Sequence, residues 1–174
     1  MLQRLFSRRP APRLRVLMVC MGNLCRSPMA EAVLRAKLVH AGLDTAVAVD
    51  SAGTHGHFRG SPPDPRAVAS AGARGYRLEA LRSRPLADAD FARFDLLLAM
   101  DHQNLERLRE RAPAAQQDRL QLLLPFAAQA GGGALPVDEV PDPYYGAPAA
   151  FDAALDLIEP ACDGLLQHLR RQLA

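Results

Sequence analysis

The chain has 174 residues, 49% of them hydrophobic and 23% charged, a size and composition that suit one folded domain and argue against disorder. No apolar run reaches the ~18 residues of a membrane span, so no membrane span is expected. No basic stripe with interleaved aromatics points to nucleic acid. The formal charge of +2 is unevenly spread: Arg4, Arg8, Arg9, Arg13 and Arg15 open the chain without an acid, and taking those five from 21 bases leaves 16 against 19 acids. Residues 1–13 therefore read as a basic, flexible N-terminal extension ahead of a single domain over 14–174. That opening lacks the apolar stretch of a secretory signal. Three cysteines, Cys20, Cys25 and Cys162, are too few for a disulfide framework, so a cytoplasmic setting is expected.

Leu14 to Cys20 (LRVLMVC) is continuously apolar, as a buried parallel strand should be. Gly22 and Asn23 break it, and Ser27-Pro28 reads as N-cap and first residue of a helix that stops at Gly42. Ala30, Val33, Leu34, Leu38 and Ala41 form its apolar face, with Glu31 and Arg35 an i,i+4 pair. Thr45 to Ser51 reads as a second strand. Asp64-Pro65 caps a helix that runs toward Gly75, and Asp88 to Phe94 reads as a short one. Asp95 to Met100 is a third strand, after which Asp101 caps a helix through Leu105 and Leu108. Arg119 to Leu124 is the fourth, and Ala127 to Ala134 reads as a flexible connection. A last helix begins near Pro148, with Phe151, Leu155, Ile158, Cys162, Leu165 and Leu169 on one face. Pro160 and Gly164 predict a kink or break in it. Strands alternating with helices predict an α/β fold, a three-layer sandwich with a parallel sheet flanked by helices.

The chemistry concentrates in VLMVCMGNLCRSPMAEAVLR, residues 16–35. A strand ends at Cys20, five residues form a loop, and Arg26 opens a helix whose free N–H groups and dipole favour an anion. Gly22 lets the backbone turn the amides of Met21, Gly22, Asn23, Leu24 and Cys25 inward as a nest for phosphate oxygens. Arg26 can grip two oxygens with its planar fork. Cys20 would lie beneath the phosphorus, and the same positive field favours its thiolate as nucleophile. The bare spacing of Cys and Arg is weak; strand, turn residues and helix start in the right order sharpen it. A zinc site at Cys20 and Cys25 lacks further ligands at a recognisable spacing, and a Walker loop lacks its Gly-Lys-Ser/Thr ending.

A phenolate leaving group needs a proton. In Pro141-Asp142-Pro143-Tyr144-Tyr145 two prolines stiffen a loop around a carboxylic acid, and two tyrosines could wall an aromatic substrate. Read with CMGNLCRSPMAEA, VDSAGT, GSPPD, AMDHQNL and DPYYG, in that order from Cys20 to Gly146, the chain resembles the low-molecular-weight protein tyrosine phosphatases. The resemblance implies a four-stranded parallel sheet with the phosphate loop after the first strand. It also implies a tyrosine-phosphorylated protein as substrate, phosphate or another oxyanion in the site, and no metal or cofactor. It makes Cys20 the nucleophile, Arg26 the phosphate clamp and Asp142 the general acid and later base. Asn23 would hold the loop with Ser51 in support, Ser27 would hydrogen-bond the thiolate, Tyr144 and Tyr145 would line the entrance, and Asp101 would start a helix structurally. Where the family often carries a loop aromatic, this chain has His57, with Phe58 adjacent as the substitute.

Two rivals share the sequence features. An arsenate reductase on the same scaffold would need relay cysteines, of which the stretch Tyr76 to Met100 has none, and Cys162 reads as a core residue. A phosphotyrosine-binding module without catalysis would be expected to have lost Cys20 or Asp142, and both are present.

Overall fold

The computed structural model describes residues 11–131 and 133–174. Residues 1–10, most of the expected basic extension, and Gly132 of the expected Ala/Gly connection lie outside the described residues. Four strands, β1 (Leu14–Cys20), β2 (Val47–Gly53), β3 (Leu96–Ala99) and β4 (Leu120–Leu122), form one parallel sheet in the order β2-β1-β3-β4. Among the described residues five α-helices accompany it: α1 (Arg26–His40), α2 (Pro65–Ala73), α3 (Asp88–Arg93), α4 (His102–Arg111) and α5 (Pro148–Leu173).

β1 lies inside the sheet, so both its faces are buried and its run is apolar throughout. Val16, Met18 and Cys20 face a core shared with α1, α2 and α5, while Leu17 and Val19 face a second core built with α3 and α4. The period-2 alternation of a strand thus divides one hydrophobic stretch between two layers, and helices cover the sheet on both sides. Because β1 is followed by β2 on one flank and β3 on the other, the C-terminal end of β1 sits where the strand order reverses, the usual place for a ligand in an open parallel sheet.

Asp64 and Asp101 cap their helices as expected, accepting from Arg66 N at 2.8 Å and Asn104 N at 2.7 Å. Ser27 does not. α1 already begins at Arg26, with Cys25 at the cap position and no side-chain cap, and Ser27 lies inside the first turn with its hydroxyl directed to the loop. Pro28 is tolerated there because first-turn N–H groups have no intrahelical partner to lose. The strands are also displaced or trimmed: β2 extends to Gly53, and β4 ends at Leu122.

The Ala/Gly stretch is not all loose connection. Leu124–Ala130 winds into a 3-10 helix whose Phe126 and Ala127 are buried against α5. For the same reason α5 is unbroken from Pro148 to Leu173, with Pro160 inside it. Pro160 forfeits one ladder hydrogen bond, but Gly164 is where the carbonyl of Phe126 passes: a Cβ there would lie 1.7 Å from that oxygen. Gly164 is a docking point between the two helices rather than a helix end. Gly164→Ala should therefore destabilise the fold by about 1–3 kcal/mol, the usual cost of overpacking. Urea unfolding should show a lower midpoint at unchanged slope; a midpoint equal to wild type would contradict this account of the contact.

Candidate active site

The loop after β1 is held from outside by its carbonyl oxygens. Thr54 N donates to Cys20 O at 2.9 Å, His55 N to Met21 O at 3.0 Å, Ser83 Oγ to Gly22 O at 2.9 Å and Asp64 N to Leu24 O at 2.9 Å. Met29 N reaches Cys25 O at 3.2 Å. Among the described residues nothing accepts from the backbone N–H groups of Met21, Gly22, Asn23, Leu24 or Cys25. Peptide planes whose oxygens are bound outward present their N–H groups on the other side, so the loop becomes a ring of free donors.

This shape forces Asn23 to φ +55, the left-handed region that a side chain adopts only at a cost of about 1–2 kcal/mol. Its amide offsets that cost locally. Asn23 Nδ2 donates to Ser27 Oγ and Ser51 Oγ, each at 2.9 Å, and its Oδ1 accepts from Arg84 N at 3.0 Å. Ser51 Oγ in turn donates to Glu31 Oε2 at 2.5 Å. Burial pushes the Glu31 carboxyl above its usual range, against the pull of Ser51 and Arg35. Gly53 completes the frame: a Cβ there would meet Met21 O at 2.7 Å, so only glycine lets the end of β2 approach the loop.

Cys20 Sγ lies 3.0 Å from Ser27 Oγ at the floor of this ring. Arg26 is buried, its Nη1 donating to Asp101 Oδ2 at 2.6 Å and Val140 O at 3.0 Å, its Nη2 to Asp142 Oδ2 at 3.1 Å. Burial works against its charge, but Cys20, the Asp101 hydrogen bond and the Asp142 and Asp101 carboxylates together raise its pKa above the ordinary arginine value. Asp101 is thus more than a helix start, because its second oxygen aims the Arg26 fork.

A cavity of about 310 Å³ opens over the loop, lined by Cys20, Gly22, Cys25 and Arg26 on its floor and by Phe58, Asp142, Tyr144 and Tyr145 around its mouth. Met21 and Leu24 also border it. Tyr145 is 97% exposed and meets Tyr144 edge to face, whereas Phe58 packs over Gly22 on the opposite side. Phe58, not His57, supplies that wall. Burial and the neighbouring Asp64 push the Cys25 thiol up to about 12, and burial does the same to Cys162; Cys162 is wholly enclosed in the core, where a relay thiol could not work.

Of the site residues expected from the sequence, Cys20, Met21, Gly22, Leu24, Cys25, Arg26, Asp142, Tyr144 and Tyr145 line this cavity, and Asn23, Ser27, Ser51 and Asp101 join it through hydrogen bonds to the loop or to Arg26. The supports that sequence reading missed are Glu31, Ser83, Arg84 and Arg66. Glu31 carried only the signature of a helix-surface ion pair, which it also makes, with Arg35 Nη2 2.7 Å away. Arg84 binds Asp50 and Asp90 at 2.9 and 2.8 Å, and no local pattern marks a residue whose partners lie on other elements.

The family model for low molecular weight phosphotyrosine protein phosphatases matches residues 15–174. A low molecular weight protein-tyrosine-phosphatase of Streptomyces coelicolor is 42% identical over 160 residues, 91% of this chain and 95% of that protein. The crystal structure of a protein tyrosine phosphatase from Entamoeba histolytica with Hepes in the active site superposes with a TM-score of 0.86 at 34% identity, covering 92% of this chain and 99% of the other. Bacillus subtilis YfkJ superposes with a TM-score of 0.84 at 32% identity over 95% of this chain and 99% of its own. With this likeness along nearly its whole length, the chain belongs to the low molecular weight protein tyrosine phosphatases, enzymes that hydrolyse phosphoric monoesters.

Proposed function

We propose that the protein hydrolyses phosphotyrosine in proteins through a cysteinyl-phosphate intermediate, with Cys20 as nucleophile, Arg26 as phosphate clamp and Asp142 as general acid and base, on a single domain of residues 14–174. The observation that carries this is the ring of N–H groups from Met21 to Cys25, unpartnered among the described residues, around the Cys20 sulfur. A phosphoryl group seated there has its three equatorial oxygens on amides and Arg26 and its phosphorus in line with Cys20. Hepes in the active site of the Entamoeba enzyme fits the same chemistry, since its sulfonate is a tetrahedral oxyanion.

In the first step the Cys20 thiolate forms the S–P bond as the P–O bond to the phenol breaks, and Asp142 gives the departing oxygen its proton. In the second, Asp142 takes a proton from water as the water oxygen attacks phosphorus, releasing phosphate and the thiolate. Ser27, 3.0 Å from the sulfur, stabilises the thiolate. The substrate phosphate competes with Asp142 for Arg26 Nη2, so binding frees the carboxyl to meet the leaving oxygen.

Phe58, Tyr144 and Tyr145 set the depth of the cavity, and a phosphoserine side chain is too short to bring its phosphate to the loop while its backbone stays outside. Phosphotyrosine peptides should therefore exceed matched phosphoserine peptides in kcat/KM by on the order of 10²-fold or more, the effect of misplacing the reacting group. Phosphate release from paired synthetic peptides measures this; equal rates would overturn the assignment to phosphotyrosine. The three free cysteines support a reducing, cytoplasmic setting. Among the described residues no helix is long and apolar enough to cross a membrane.

A further inference from the structure

We propose that Arg66, on the first turn of α2, is a positioning residue that couples the acid loop to the phosphate loop; this rests on Asp142 being the general acid. Arg66 spends its planar fork in two directions. Toward the phosphate loop, its Nε and Nη2 hold the Asp64 carboxylate at 3.0 and 2.8 Å, and the backbone N–H of that same Asp64 donates to Leu24 O at 2.9 Å. Toward the acid loop, Nη2 donates to Tyr144 O at 2.9 Å and Nη1 to Gly146 O at 3.0 Å. The guanidinium also lies over the rings of Phe151, on α5, and Tyr144, 4.6 and 5.9 Å from their centroids.

The link continues to the carboxyl group itself. The N–H of Tyr144, the residue whose carbonyl Arg66 holds, donates to Asp142 Oδ1 at 3.2 Å. On the far side of the carboxylate, Asp142 Oδ2 accepts from Arg26, a contact that a bound phosphate would take over. Once Arg26 turns to phosphate, the turn from Pro143 to Gly146, closed by Gly146 N to Pro143 O at 2.9 Å, is what keeps Asp142 over the site, and Arg66 fixes that turn. Arg66 touches neither Cys20 nor Asp142 and does not line the cavity over the loop, so its role is geometric. A lysine cannot reproduce it, because one ammonium cannot grip a carboxylate by two edges and reach two carbonyls in the same plane.

The test uses Arg66→Met, Arg66→Lys and Asp142→Asn, singly and as the Arg66→Met/Asp142→Asn double variant. For each, kcat/KM is measured on phenyl phosphate, a poor leaving group, and on p-nitrophenyl phosphate, a good one, together with inhibition by inorganic phosphate. Arg66→Met should lose about 10-fold or more on phenyl phosphate, a part of the full general-acid effect, and far less on p-nitrophenyl phosphate. Inhibition by phosphate should stay within about 2-fold, because the amide ring and Arg26 are intact. Arg66→Lys should fall between, showing the same leaving-group pattern in a variant that keeps the charge beside Asp64 should Arg66→Met not fold. With Asp142 already Asn, Arg66→Met should add no further leaving-group dependence, since residues that act as a unit are not additive. An equal loss on both substrates, an undiminished loss in the double variant, or wild-type rates would each overturn the proposal. Should Asp142→Asn itself show no leaving-group dependence, the assignment of the acid fails first and this proposal with it, a result distinguishable from failure at Arg66 alone.

Discussion

Cys20→Ser is expected to lower turnover of aryl phosphates by on the order of 10⁴-fold or more, the scale lost with a covalent nucleophile, while inorganic phosphate still binds. The two halves of this expectation have separate causes. A serine hydroxyl at the floor of the ring has the position of the thiol but stays protonated at neutral pH, so no nucleophile is generated by the surrounding field. The free N–H groups of Met21 to Cys25 and the Arg26 fork, held by Asp101, do not depend on the sulfur. The proposed mechanism uses Cys20 as a thiolate, and its replacement by a neutral hydroxyl takes no donor from the ring, so phosphate should bind at least as tightly as to wild type. Calorimetric titration with inorganic phosphate and a turnover assay on p-nitrophenyl phosphate check both halves. Turnover near the wild-type rate would sink the covalent mechanism, and loss of phosphate binding would show that the sulfur, not the amides, organises the loop.

Asp142→Asn should slow hydrolysis by about 10²–10⁴-fold for poor leaving groups, the usual range for general acid catalysis, and by much less for good ones. Asparagine keeps an oxygen for Tyr144 N and nearly the same volume, so the loop should hold its shape while the proton is lost. A phenolate of low basicity departs without that proton, whereas one of high basicity does not. A plot of log kcat/KM against leaving-group pKa should therefore be steeper for the variant than for wild type. Parallel plots would remove Asp142 from the acid role. The substitution also removes a negative charge from Arg26 Nη2, so phosphate should inhibit the variant somewhat more strongly than wild type.

Both expectations concern residues visible in the sequence, and the reason is distance along the chain. The cysteine loop is local: an apolar strand, glycine and asparagine at the turn, arginine at a helix start, all within residues 14–28. Each of those preferences acts over a few bonds, so nothing elsewhere has to be known. Asp142 stood out for a similar reason, a carboxylic acid stiffened between two prolines and followed by two tyrosines, and the order of motifs along the chain tied it to Cys20. The four strands and the parallel sheet were likewise legible, because continuous apolar runs between helical periods leave few alternatives.

Where local preference pointed the wrong way, a tertiary contact outweighed it. Pro160 and Gly164 argue for a broken helix, yet α5 continues because the missing Cβ of Gly164 admits the Phe126 carbonyl of a segment that composition marked as loose. Ser27-Pro28 has the form of a helix start, yet the Ser27 hydroxyl is taken by Cys20 and Asn23, and the helix begins two residues earlier, at Arg26. By itself, then, the sequence determined the fold class, the cysteine loop and the proline-flanked loop that carries Asp142, because their signals are short-range or repeat along the chain. Only the tertiary structure decided what holds them in place. Glu31 beneath Ser51, Arg84 between Asp50 and Asp90, Asp101 on Arg26 and Arg66 between two loops are pairings across 20 to 80 residues of sequence, apart from Arg84 with Asp90 and Arg66 with Asp64, which are near neighbours. The strand order β2-β1-β3-β4 brings the C-terminal ends of β1, β2 and β3 to one edge, and side chains far apart in the chain become hydrogen-bond partners there because buried polar groups must find partners wherever the backbone sets them down.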